Sequence, residues 1–357
     1  MLRLVGKLLL GVVLLVVVAA AALGGYRVWR QHEGERALAI PAPNGIDESM
    51  FVDVGDVEQW ITIRGTDRRN PVLLVVHGGP GVALSPLATA FLPYERDWTV
   101  VQWDQPGAGR TFSRAGRTLS SSTTVASIAT DGIAVAELVA RRLGVERVVL
   151  VGLSFGSVVG LEMARARPDL FVAYVGTGLF VHRDDGRAIA YERVLARARD
   201  EDRSAAVAEL EGVGPPPYAR AERTRTLNRW IDALTRSNDP DAADRLAEIL
   251  LAPRQSLSDV ASYFGGYVAS DEHFDLGAMD LRRSAAEFAL PIVIIHGAED
   301  FDTPIELARG YLDSITAPSK ELVALPNGGH TALVYDRASF LAALDEHVLP
   351  LARAIDR

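Results

Sequence analysis

The chain has 357 residues, 48% of them hydrophobic, so it can bury a large core. Its formal net charge of -9 argues against a nucleic-acid partner, because phosphate binding needs a basic face. Cysteine is absent, which excludes disulfides, thiolate nucleophiles and cysteine metal sites.

The N-terminus carries the first element. From Leu8 to Gly25 every residue is apolar, Ala or Gly, with Arg3 and Lys7 before the run and Arg27 and Arg30 after it. As a helix this run is roughly 27 Å long, enough to span a hydrocarbon core. The reading is a transmembrane signal anchor over residues 1–25. A signal-peptide core is shorter, roughly 7–15 residues. Ala19–Ala22 does offer small-residue cleavage sites, which would give a secreted form. The partner expected here is the lipid bilayer, with the remaining chain outside the cytoplasm. Residues 26–45 mix charges and end in Pro41-Ala42-Pro43-Asn44-Gly45, a composition that suits a linker.

An alternation of strands and helices follows. Phe51–Ile63 reads as two short strands with a turn near Gly55-Asp56. Val72–Val76 is a continuous apolar run, the pattern of a strand buried on both faces. Trp98–Trp103 is the next strand, and Thr124–Leu143 is a helix ended by Gly144. Val148–Val151 is a strand, followed by a helix from about Ser157 to Arg167 that Pro168 stops. Phe171–Val175, Pro291–His296 and Glu321–Leu325 complete the strands. Such alternation predicts an α/β fold: a mainly parallel sheet flanked by helices, over residues 46–180 and 290–357. Residues 181–289 are rich in Ala, Arg, Asp and Glu at helical spacing and read as an inserted helical cap. Ligands of open α/β sheets bind outside the carboxyl ends of the strands, where such a cap would shape the pocket.

Gly152-Leu153-Ser154-Phe155-Gly156 lies between a predicted strand and a predicted helix. That context is what a nucleophile elbow requires. A hydroxyl needs an adjacent base, and among the seven histidines His330 is the choice. It follows a late strand, in Asn327-Gly328-Gly329-His330, and so falls at the sheet's carboxyl edge. His347, His273 and His296 read as surface, cap and structural residues. The acid that orients the imidazole comes from Gly297–Pro304. Asp300 is the first choice and Asp302 the second; Glu299 is also present, and an acidic helix cap is the competing role. An oxyanion needs pre-placed donors. One is the N–H of Phe155, after the nucleophile. The other comes from His77-Gly78-Gly79-Pro80-Gly81, where Gly79 is the first candidate and Gly78 the second; Pro80 has no N–H. His77 reads as a loop-shaping residue. His-Glu-x-x-His and His-x-x-x-His spacings do not occur, so no metal site is expected.

These segments together carry a resemblance. His77–Gly81, Trp103-Asp104-Gln105-Pro106-Gly107-Ala108-Gly109 and the Ser154 elbow resemble the proline iminopeptidase-like branch of the α/β-hydrolase superfamily, serine peptidase family S33. The likeness runs from about Val72 to Val334. It implies a Ser-Asp-His triad at Ser154, Asp300 and His330, removal of an N-terminal residue from small peptides, and no cofactor. Two positions depart from the family pattern: Pro106, where the family usually has Arg, and Phe155, where it often has Trp. The substrate's free amine calls for acidic groups in the cap, where Glu192, Glu209, Glu211 and Glu222 are available. The alternatives are a carboxylesterase or lipase taking ester substrates, and a membrane-tethered binding protein on an inactive scaffold. Ser154 at the elbow argues against epoxide hydrolysis, which uses Asp there.

Overall fold

A computed structural model describes residues 2–218, 220–283 and 287–355. The first element is a helix, α1, at Leu2–Ala37. The antiparallel strands β1 (Ile46–Val54) and β2 (Val57–Gly65) follow, then β3 (Val72–Val76) and β4 (Thr99–Asp104). Next come α2 (Gly109–Arg114), α3 (Val125–Leu143), β5 (Val148–Leu153), α4 (Phe155–Ala166) and β6 (Phe171–Thr177). Among the described residues, the α-helices before the next strand are α5 (Arg183–Asp200), α6 (Ser204–Val213), α7 (Ala221–Leu234), α8 (Ala242–Leu251) and α9 (Leu257–His273). The chain closes with β7 (Ile292–Gly297), α10 (Ile305–Ser314), β8 (Lys320–Leu325), α11 (Ala332–Tyr335), α12 (Arg337–His347) and α13 (Leu349–Ile355).

The strands form one sheet in the order β1-β2-β4-β3-β5-β6-β7-β8. Pairings are antiparallel from β1 to β4 and parallel from β3 onward. Every residue of β3, β5 and β6 is buried, as expected for strands covered on both faces. Their side chains alternate between two cores. Leu74, Leu150 and Ile294 join Val135, Val159 and Tyr311 on one face, towards α3, α4 and α10. Leu73, Val149 and Val293 join Leu333, Phe340 and Leu344 on the other, towards α11 and α12. Each such buried side chain contributes about 1.5–3 kcal/mol. Parallel strands also place all their carboxyl ends on one edge, so the loops after β3, β5, β7 and β8 meet there.

The expected linker needs correction. Residues 26–37 are not an irregular linker; they continue α1 without a break. The reason is tertiary. Arg27 Nε donates to Leu250 O at 2.9 Å and Nη2 to Gln255 O at 2.6 Å. Gln31 Nε2 reaches Ala252 O and Gln255 O at 2.9 and 2.7 Å. The turn after α8 thus presents its free carbonyls to side chains of α1, which satisfies groups a helix end leaves open.

The helices between β6 and β7 have a small core of their own, including Tyr191, Val194, Leu210, Leu227 and Phe301. Ile249 of α8 and Val260 of α9 instead join the core on one sheet face, while α5 is tied to the loop after β7 by arginines. Arg197 pairs with Glu299 at 2.7 Å, and Arg193 donates to the carbonyls of Ala298 and Asp300.

Candidate active site

Four loops at the carboxyl edge build the site. Ser154 sits between β5 and α4 with φ 54° and ψ -125°, a conformation L-residues rarely adopt. Several contacts hold it there. Ser154 N–H donates to Thr177 O at 3.0 Å. The hydroxyl of Ser157 donates to Ser154 O at 2.5 Å and itself accepts from Phe180 N–H at 3.1 Å. The turn also needs small neighbours: a Cβ on Gly152 would stand 2.7 Å from Gly156 O. The strain at Ser154 projects its side chain away from the sheet.

The hydroxyl meets an imidazole. His330 Nε2 lies 3.0 Å from Ser154 Oγ, and His330 Nδ1 lies 3.0 Å from Asp300 Oδ2. Asp300 is fully buried. Its Oδ1 accepts the N–H groups of Asp302 and Thr303 at 2.9 and 2.8 Å, and its Oδ2 accepts the Thr303 hydroxyl at 2.7 Å. Burial pushes this carboxyl up. The facing charge and hydrogen bond of His330, with His296 Nε2 3.4 Å away adding to them, outweigh it and hold the group far below the usual carboxylate range. Burial likewise depresses His330, but the charge of Asp300, its hydrogen bond, and the more distant Asp302 and Asp239 raise it to about 9. The ionised Asp300 therefore makes the imidazole that faces Ser154 more basic.

Of the three candidate acids, only one faces the histidine by hydrogen bond. Glu299 turns away to Arg197, and Asp302 is exposed and contributes only a longer-range charge. His296 is buried, as its strand position suggested. Its Nε2–H donates to Thr303 O at 2.7 Å, and Nδ1 accepts from Leu179 N–H at 3.4 Å, so it pins the acid turn to the loop after β6. His347 contacts Glu321 at 3.0 Å on the surface, and His273 bonds Thr123 O at 2.7 Å.

The His77–Gly81 loop closes the site beside Ser154. A Cβ on Gly78 would come within 2.7 Å of Ser154 Cβ, so this position accepts no side chain. Gly79 has φ +113°, which only glycine adopts freely. His77 is buried, and burial lowers it to about 4, so it is neutral. Its Nδ1–H donates to Gly78 O at 2.9 Å, and its Nε2 accepts Gln105 N–H at 3.2 Å. Gln105 Nε2 then donates to His77 O at 2.8 Å. Phe155 is the first residue of α4, so its N–H has no partner inside the helix. Its ring packs on Phe274 at 5.0 Å between centroids.

The model of the α/β-hydrolase fold family matches residues 71–336, which span β3 to α11 and all four loops. The chain belongs to the α/β-hydrolase family. This hydrolase is 27% identical over 320 residues to a probable aminopeptidase of Bacillus subtilis, covering 86% of this chain and 98% of that one. It is 29% identical over 325 residues to a probable proline iminopeptidase of Streptomyces coelicolor, covering 83% and 94%. Among solved structures, the proline iminopeptidase-related protein of Thermus thermophilus superposes with a TM-score of 0.60 at 24% identity, over 87% of this chain and 99% of that one. The hydrolase is thus proline iminopeptidase-like in sequence and fold.

Sequence reasoning missed several residues around the hydrolase site. Thr303, whose Oγ1 lies 3.2 Å from His330 Nδ1, gave no signal beyond its place near the acidic turn. Asp239 is the larger omission. Its Oδ2 accepts Thr331 N–H at 3.1 Å, next to His330, while its buried Oδ1 has no partner among the described residues. The cap acids singled out from sequence lie elsewhere: Glu209 pairs with Arg229, Glu211 with Arg199, and Glu192 and Glu222 are exposed.

Proposed function

We propose that this hydrolase is a serine aminopeptidase of the proline iminopeptidase type, acting on small peptides through Ser154, His330 and Asp300. The observation that carries the reading is the continuous hydrogen-bonded chain from Ser154 Oγ through His330 to Asp300, each link 3.0 Å long. In the proposed reaction His330 takes the Ser154 proton as Oγ attacks the carbonyl carbon. Asp300 stabilises the imidazolium that forms. The N–H groups of Phe155 and Gly79 receive the oxyanion. His330 then protonates the leaving amine, and the acyl-enzyme is hydrolysed by water.

The unpaired Oδ1 of Asp239, beside His330, supports an amine-bearing substrate. A buried acceptor without a partner is costly unless a ligand satisfies it. The helices inserted between β6 and β7 bring Asp239 to the site and act in this reading as a cap over it. The apolar helix α1 acts as a single-pass anchor, with the hydrolase domain outside the cytoplasm. Its stretch Leu9–Ala37 has a mean hydropathy of 2.5 in its most apolar window, none of which is buried.

A carboxylesterase is the second reading, favoured by that same helix, which would hold the site near lipid esters. Prolyl and other aminoacyl arylamides tested beside aliphatic p-nitrophenyl esters decide between them. Turnover of arylamides supports the aminopeptidase; turnover of esters alone replaces it with the esterase. Failure of a fluorophosphonate to label Ser154 in folded protein overturns both.

A further inference from the structure

The outer face of α9 is unusual for a surface helix. Its inner side is buried through Val260, Ser262, Gly266 and Ser270. Its outer side exposes Leu257 by 66%, Phe264 by 38% and Val268 by 52%. With Ala261, also exposed, these residues recur at helical spacing and form one apolar stripe. Exposed apolar residues in a contiguous stripe mark an interaction surface.

The position of the stripe selects its occupant. The turn that leads into α9 is the one α1 grips: Arg27 bonds Gln255 O at 2.6 Å, two residues before Leu257. Tyr26 and Trp29 stand beside Arg27 with ring centroids 5.8 Å apart, both exposed, as aromatic residues at a membrane interface are. The apolar part of α1 therefore ends where the stripe begins. Charge runs the same way. Arg117 Nη2 donates to Ser258 Oγ at 3.0 Å and Arg110 pairs with Asp259 at 3.4 Å at the near end, while Asp271 and Glu272 are exposed at the far end. Exposed Arg117 at the near end can meet a headgroup phosphate, while the exposed acids at the far end disfavour an anionic surface.

We propose that the stripe Leu257–Ala261–Phe264–Val268 rests in the lipid headgroup boundary of the same bilayer that α1 crosses. This rests on the reading of α1 as an anchor. An amphipathic helix held beside a span by fixed hydrogen bonds meets the surface at no further entropic cost of encounter. The far half of α9 packs on the site: Ser270 Oγ donates to Gly107 O at 3.2 Å, and a Cβ on Gly81 would stand 2.6 Å from Gly266 O. Docking therefore fixes the loop that carries Gly79 at a set height above the lipid, and substrates that concentrate at the interface are favoured.

The absence of cysteine allows a direct test on the full chain. Single variants Leu257→Cys, Phe264→Cys and Val268→Cys, with Arg141→Cys on the distant α3 as control, carry an environment-sensitive fluorophore. Each is reconstituted in phosphatidylcholine–phosphatidylglycerol vesicles with or without a headgroup-level nitroxide lipid. Retained turnover of a soluble substrate shows each variant is folded. The expected result is a blue shift at the three α9 positions and loss of roughly half their intensity to the nitroxide lipid, with neither at position 141. Protein that floats with the vesicles while its α9 labels match the control overturns the docking and leaves the anchor standing. Protein that does not float overturns the anchor and the docking with it. A blue shift without lipid quenching points to a protein partner and overturns the bilayer as occupant.

Discussion

The sheet and the helices inserted into it are built on different principles. Around β3, β5 and β6 nearly every side chain is apolar and buried, and the two faces are covered by separate cores. Of the inserted helices, α5–α7 share a much smaller core and are tied to the loop after β7 through Arg193, Arg197 and Glu299, while α8 and α9 add Ile249 and Val260 to a sheet core. The difference assigns two tasks. On the proposed reading, the sheet holds Ser154, His330 and Asp300 in register, and the insertion supplies substrate-facing groups such as Asp239. Chemistry needs the first to be rigid, while specificity tolerates change in the second.

The sharpest way to test the division is at the nucleophile. Ser154→Ala is expected to lower kcat by about 10⁶-fold and to abolish fluorophosphonate labelling, with the far-ultraviolet circular dichroism unchanged. Asp300→Asn follows, with kcat reduced by about 10⁴-fold. Its pH profile carries the sign. In the proposed mechanism neutral His330 is the base, so kcat/KM should rise as pH rises through its pKa, which the Asp300 charge and hydrogen bond hold at about 9, above the ordinary 6.5. Removing that charge leaves burial opposed only by the more distant Asp302 and Asp239, and the acid limb moves to lower pH.

Stability should separate the two regions as well. Leu74→Ala, in the wholly buried β3, is expected to cost about 2–5 kcal/mol in urea unfolding. Arg197→Ala breaks a pair whose side chains are 17% and 13% exposed. Loss of its charge-assisted hydrogen bonds should cost about 1.5–3 kcal/mol. A larger loss for Arg197→Ala than for Leu74→Ala would erase the distinction. The smallest effect lies at the amine site. Asp239→Asn is expected to raise KM for aminoacyl arylamides about tenfold, the worth of one charge-assisted hydrogen bond, and to leave ester hydrolysis unchanged. Glu209→Gln, remote in the insertion and paired with Arg229, should alter neither.

Much of this was written locally. An apolar run names a buried strand because its side chains have nowhere else to go, and Val72–Val76 occupies the centre of the sheet. Gly152–Gly156 names a tight turn because only small residues permit the close approach of strand and helix. His330 follows from its place after a strand. The choice among Glu299, Asp300 and Asp302 was not settled locally, since three acids in one turn differ only in what faces them. Arg193 and Arg197, more than 100 residues away in sequence, draw off Glu299 and the turn's carbonyls and leave Asp300 buried against His330.

The same distinction holds at the N-terminus. The apolar run of α1 is a property of composition, and no contact is needed to read it. That residues 26–37 extend the helix instead of linking to the sheet depends on carbonyls of residues 250–255, which the sequence order hides. Periodicity, turn chemistry and the order of Ser154, Asp300 and His330 along the chain are local properties, and the sequence determined them by itself. Which carboxylate meets the imidazole, which acid is left unpaired and which face of α9 stays bare are decided by partners distant in the chain. Only the tertiary structure brings those partners together.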